Sequence, residues 1–181
     1  RAWPALVGNG PLQVHLLGSV MAFVVLLSTW SLLRSLSSPV VLIATASVGL
    51  FPGFVVTAGT YMADQFAVAG ALAALALVVH AVRRPLGTGV VPSLVLVLGA
   101  AAGCLFAFSV RQQTAVAAVG VLAVLFVARE RLPRMWLVFA AVLGPPALAF
   151  YAWRGGLENG GGLWFRFEPP FLVAAGVFLV V

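Results

Sequence analysis

Long apolar runs, each closed by a few polar residues, repeat along the whole chain. A helix needs roughly 20 apolar residues to cross the hydrocarbon of a bilayer, and most of these runs have about that length. The first covers residues 14–33 and ends at the polar turn 34–39. The second covers residues 40–57, with Pro52-Gly53 near its far end. Proline there removes a backbone donor and is expected to kink or end the helix. After a polar break at 58–64 the third run covers 65–82, closed by Arg83-Arg84-Pro85, and the fourth covers 90–110. Only Arg111-Gln112-Gln113 separates it from a shorter fifth run, 114–128. The sixth covers 135–153, where Gly144-Pro145-Pro146 is expected to break the helix. The longest polar stretch, 154–169, is read as a loop, and a seventh run starts at Phe171. The pattern predicts an all-α fold: a polytopic transmembrane helical bundle of about six to seven spans, with broken helices and short segments on the outer face.

Composition removes the alternatives. Hydrophobic residues make up 63% of the chain and charged residues 8%, against roughly a quarter charged in a soluble domain. So apolar a chain cannot cover a water-facing surface, so residues 1–181 are read as a single transmembrane domain without a soluble one. The chain opens at Arg1 and stops at Val181 inside an apolar run, and is expected to be an internal fragment truncated at both ends. The absence of Lys and the single Ile point to a GC-rich bacterial genome, and so to a multi-pass protein of the plasma (inner) membrane.

The net charge of +6 comes entirely from arginine. No stretch joins clustered basic residues to a solvated face, which argues against nucleic acid. The positive-inside rule gives the charge its meaning. One set of loops holds Arg34, Arg83, Arg84, Arg129, Arg131 and Arg134, tight against the ends of the runs; the alternate set holds Arg1, Arg111, Arg154 and Arg166. The richer set is expected to be cytoplasmic. Asp64, Glu158 and Glu168 then fall outside, which places any chemistry on the outer face.

Asp64 stands just before an apolar helix. An aspartate there can cap free backbone N–H groups, and the same carboxylate can face a polar cavity. Arg111 lies where two runs meet. A guanidinium at membrane depth either snorkels to the headgroups or serves a function, and its fork matches phosphate oxygens. The third run descends from Asp64 and the fourth climbs to Arg111, so the two are expected to border one polar cavity at the outer face. In the stretch 154–169, Arg154, Glu158 and Glu168 are candidate ligands or acids, while Trp164, Phe165 and Phe167 read as an interfacial aromatic belt. His15 and His80 have no second ligand at metal spacing, so no metal site is expected and no cofactor is evident, a divalent cation being unsupported. Cys104 is read as packing, and Gly99 with Gly103 as a small-residue pair for close helix approach. No Walker A run, HExxH or nucleophile elbow occurs.

The order of these features resembles the GT-C glycosyltransferases, the multi-span enzymes that use lipid-phosphate sugars, including protein O-mannosyltransferases and aminoarabinose transferases. One stretch is the Pro52 break, Thr60-Tyr61-Met62-Ala63-Asp64, and the Ala/Leu run ending in Arg83-Arg84-Pro85. The other runs from Gly99 to Ser109-Val110-Arg111-Gln112-Gln113-Thr114, whose Arg-Gln-Gln-Thr is also similar to dolichyl-phosphate-glucose glucosyltransferases. Arg154-Gly155-Gly156-Leu157 is a looser match. The resemblance implies that Tyr61, Asp64, Arg111 and Gln112 lie near the lipid-phosphate site. It implies a principal acidic residue in an outer loop before Arg1, so the catalytic base stays unknown, and it places His15 where the family often has an arginine.

The expected function is therefore transfer of a sugar from a polyprenyl-phosphate carrier to an unidentified acceptor on the outer face, with membrane lipid and the lipid-linked donor as partners and the fragment inactive alone. A transporter or permease segment with its substrate site between broken helices is the alternative. It differs in placing polar groups near the bilayer midplane. A non-enzymatic membrane scaffold is a third reading.

Overall fold

The computed structural model of the chain describes residues 11–52, 54–55, 63–85, 90–111 and 114–159. Among them the chain is all helical, without strands. The helices are α1 (Pro11–Leu33), α2 (Ser38–Leu50), α3 (Ala63–Arg83), α4 (Val90–Val110), α5 (Ala115–Val127) and α6 (Met135–Asn159).

Among the described residues four stretches are long and apolar enough to cross a membrane: His15–Leu33, Asp64–Arg83, Val90–Val110 and Met135–Trp153. This corrects the expected six to seven spans. The second and fifth runs form helices of 13 residues, about 20 Å long at 1.5 Å per residue, against a hydrocarbon core of about 30 Å. Pro52 ends α2 early. A residue before proline is driven out of the α region, and Phe51 adopts φ −60°, ψ 124°. At α5 the limit is the basic turn that starts at Ala128. The run from Phe171 lies outside the described residues.

A second correction concerns α6, which runs through Pro145 and Pro146 without ending. The two prolines deprive the carbonyls of Ala141 and Val142 of their helical donors. A break in an apolar medium would strand more backbone groups than that, and a proline φ near −65° is itself helical. The helix also takes in residues 154–159, the start of the stretch read as a loop. Propagating an existing helix is far easier than nucleating one, so the glycines at 155 and 156 do not stop it.

The chain divides into two compact units, Arg1–Ala147 and Leu148–Val181. The first assembles on α3, which packs against α1, α4 and α5. α1 runs parallel to α3: Gln65 reaches Gly18 near one end, and Arg83 reaches Leu32 at the other. α4 runs antiparallel to α3. Small residues let these two backbones close up. A Cβ on Gly70 would stand 2.9 Å from the Gly103 carbonyl oxygen, and one on Gly103 would stand 3.0 Å from that of Gly70. The expected contact at Gly103 is therefore present. Gly99 is looser, its nearest neighbour being the Leu77 side chain at 3.2 Å. On α4, Ser93, Val97, Ala100, Cys104 and Ala107 are buried at alternating spacings of four and three, one helical seam.

Val121 and Leu125 of α5, with Leu132, Met135, Phe139 and Leu143 from the turn and α6, complete the core. The outward faces carry Leu16, Val20, Phe23, Leu27 and Trp30 on α1, and Val91, Val95 and Leu98 on α4, all exposed. Apolar faces of this extent are covered by lipid, not water. In the second unit the described side chains include Phe150 and Trp153, whose rings lie 6.0 Å apart.

Candidate functional site

The first turn of α3 and the last residue after α4 meet because these helices run antiparallel. The N-terminus of one, with its partial positive charge, lies beside the C-terminus of the other. Asp64 sits at the former and Arg111 at the latter, each beside the helix pole that favours it. Arg111 Nε donates to Asp64 Oδ1 at 2.7 Å and Nη2 donates to Oδ2 at 3.2 Å. This is a two-pronged fork on one carboxylate across 47 positions of sequence. The side chains are 47% and 64% exposed, so in water the pair would contribute at most about 1 kcal/mol. Its larger consequence is charge balance, since an unpaired ion at the edge of the hydrocarbon is costly. Arg111 keeps further N–H donors beyond the two that Asp64 takes.

Asp64 lies inside the first turn of α3, and its carboxylate accepts from Arg111. Thr114 secures the turn beyond Arg111: its amide and its hydroxyl both donate to the Arg111 carbonyl oxygen, at 3.1 and 2.6 Å. The Arg111 amide continues the α4 ladder to Ala107 at 2.9 Å. Arg111 is therefore held by its backbone on both sides.

His15 belongs to the same end of the first unit by register, three residues before Gly18, which accepts from Gln65. Its side chain is exposed. Among the described residues its ring makes no hydrogen bond and no ion pair with Asp64 or Arg111. Tyr61 and Gln112 lie outside the described residues, as does Glu168. Arg154 and Glu158 lie on α6 within the second unit. Of the candidates named from the sequence, Asp64 and Arg111 are the pair joined among the described residues of the first unit. Among the described residues no three His, Cys, Asp or Glu side chains gather as a metal site.

Sequence reasoning missed several contacts. Gln65, next to Asp64, is buried and donates to the Gly18 carbonyl oxygen at 3.3 Å. A polar residue opening an apolar run was the available signal. Gly70, the partner of Gly103, is followed four residues on by Ala74, a small-residue spacing of the same kind as Gly99 and Gly103. At the opposite end, Arg83 donates to the Leu32 carbonyl oxygen at 3.2 Å and to Ser35 Oγ at 3.0 Å, and Arg34 Nη2 donates to His80 Nδ1 at 2.9 Å. No local pattern announces those pairings.

Among the described residues, four helices of spanning length and an apolar exterior define the class: a helical membrane protein. Compared with known protein families, curated proteins and solved structures, the chain matches none of them.

Proposed function

We propose that this chain is part of a bacterial plasma-membrane glycosyltransferase that moves a sugar from a polyprenyl-phosphate carrier to an acceptor at the outer face. The observation that carries the reading is the forked Arg111–Asp64 pair at the ends of α3 and α4. A guanidinium with donors to spare, held by its backbone at the end of a span, suits a phosphate that its own lipid tail keeps at the membrane surface.

In the reaction an acceptor hydroxyl attacks the anomeric carbon, the carbon–oxygen bond to phosphate breaks, and polyprenyl phosphate departs. Arg111 would stabilise the charge gathering on the phosphate oxygens. Asp64 is engaged with Arg111 and acts as its positioning residue. The group that takes the acceptor proton is not assigned to Asp64. The transporter reading puts charged groups at mid-membrane, whereas in the first unit the charged residues described stand at or beyond helix ends. That favours chemistry at a surface.

Full-length protein, assayed for sugar transfer from short-chain polyprenyl-phosphate sugars, tests the reading. Arg111→Ala should lower turnover by about 10²–10³, the effect typical of removing a donor to a developing anion. Arg111→Lys should recover only part, because a point charge replaces a fork. Asp64→Asn should raise KM for the donor by freeing the guanidinium from its fixed position. Undiminished transfer by folded Arg111→Ala would remove the reading.

A further inference from the structure

At the opposite end from Asp64 and Arg111, two parallel helices stop side by side. α1 ends at Leu33 and α3 at Arg83, so the negative poles of both helix dipoles, which favour cationic side chains, lie at this end. α5 runs from the Arg111 end to this one, so the turn carrying Arg129, Arg131 and Arg134 lies at this end too. Glu130 is the one acidic residue among the described residues there.

The arginines differ in how their donors are used. Arg83 spends its guanidinium on α1, donating to the Leu32 carbonyl oxygen and the Ser35 hydroxyl. It closes the end of that helix. Arg34 is exposed and spends one N–H on His80 Nδ1 at 2.9 Å. A guanidinium has no acceptor, so in this contact the His80 nitrogen accepts. Among the described residues no carboxylate pairs with Arg34 or Arg83. Two guanidinium groups and an imidazole are thus drawn to one helix end, with only neutral acceptors among them.

We infer that Arg34, with Arg83 and His80 beside it, holds a phosphate group at the paired ends of α1 and α3. A phosphate oxygen accepts from a guanidinium fork more strongly than an imidazole nitrogen does, because the bond is charge-assisted on both sides. It would also offset the repulsion between the two arginines. The end of a membrane-spanning helix is the depth at which phospholipid headgroups present phosphate, and a free phosphate has the same chemistry. The inference is independent of the glycosyltransferase reading.

The full-length protein in detergent, supplied with phosphatidylglycerol, provides the test, with retained lipid counted by native mass spectrometry. Arg34→Gln should reduce retention by about tenfold or more, the loss expected on removing a charge-assisted bond. Arg34→Lys should fall in between, which also serves if Arg34→Gln does not fold. Arg131→Gln, which removes an equal charge from the neighbouring turn, should change retention little. Equal losses in Arg34→Gln and Arg131→Gln would overturn the site in favour of a diffuse basic surface, and so would unchanged retention in Arg34→Gln. Displacement of the lipid by inorganic phosphate would support the site with free phosphate as ligand. Retention in its presence, lost in Arg34→Gln, would support it with the lipid headgroup as ligand.

Discussion

Arg134 is the residue where the backbone conflicts with the side chain it carries. Its φ is 65°, in the left-handed region that costs a non-glycine residue about 1–2 kcal/mol. The position opens α6, and the Arg134 carbonyl oxygen accepts from Leu137 and Val138 at 3.0 and 3.1 Å. The turn therefore fixes the conformation whatever side chain is present. Arg134→Gly should raise the stability of the detergent-solubilised protein by about 1 kcal/mol, read from its thermal midpoint. Arg134→Ala loses the same charge without relieving the backbone and should not stabilise. A gain common to both would trace the effect to charge. Arg129, one turn earlier, lies over the Phe126 ring at 4.9 Å, and Phe126 meets Trp136 edge to face at 6.0 Å. That arginine has a packing role as well as a charge.

Helix contacts in this fold rest on where side chains are missing. At the α3–α4 crossing a methyl group on Gly70 would meet the Gly103 carbonyl oxygen and Phe106 Cδ1, each at 2.9 Å. The backbones would have to separate, and overpacking of that kind costs about 1–3 kcal/mol. On α5 a methyl on Gly120 would find Leu75 Cδ2 at 3.9 Å, an ordinary contact, and alanine is the better helix former by about 1 kcal/mol. Gly70→Ala should therefore lower the unfolding midpoint and Gly120→Ala should raise it. Two shifts of the same sign would mean that the close approach does not carry the packing. Gly103→Leu, at the other half of the crossing, should prevent the folded state from forming. The same logic explains why α4 buries Ala100, Ala101, Cys104 and Ala107: small residues admit the central helix.

For the whole molecule the two ends of the first unit differ in charge. One carries Asp64 joined to Arg111; the other carries Arg34, Arg83, Arg84, Arg129, Arg131 and Arg134 against Glu130. The excess of arginine should hold that end in the cytoplasm. In a Cys104→Ala background, which removes the one thiol of these 181 residues, an impermeant reagent applied outside intact cells should label Ala115→Cys and spare Glu130→Cys. Both positions are exposed. The reverse labelling would invert the chain and place the Arg111–Asp64 pair at the cytoplasmic face.

The sequence by itself determined the solvent and the secondary structure. Long apolar runs admit only structures whose backbone bonds close within the segment, so α4 could be bounded at Val90–Val110 and α6 started at Met135 from hydropathy alone. The halt at Pro52 was equally local, since proline acts on its immediate neighbours. Length was less legible. Whether an apolar run becomes a full span depends on where the helix stops, and α2 and α5 stop short while α6 runs past two prolines. Hydropathy does not count the backbone bonds that decide this. That Asp64 and Arg111 stand at the same end followed from the alternation of runs. That they touch, with a fork on both oxygens, was decided by the register between α3 and α4. That register is set by Gly70 and Gly103, far from either charge. Arg34, His80 and Arg83 were brought together by the parallel packing of α1 on α3, a choice no single run contains, because helix pairing is settled by shape along the whole contact.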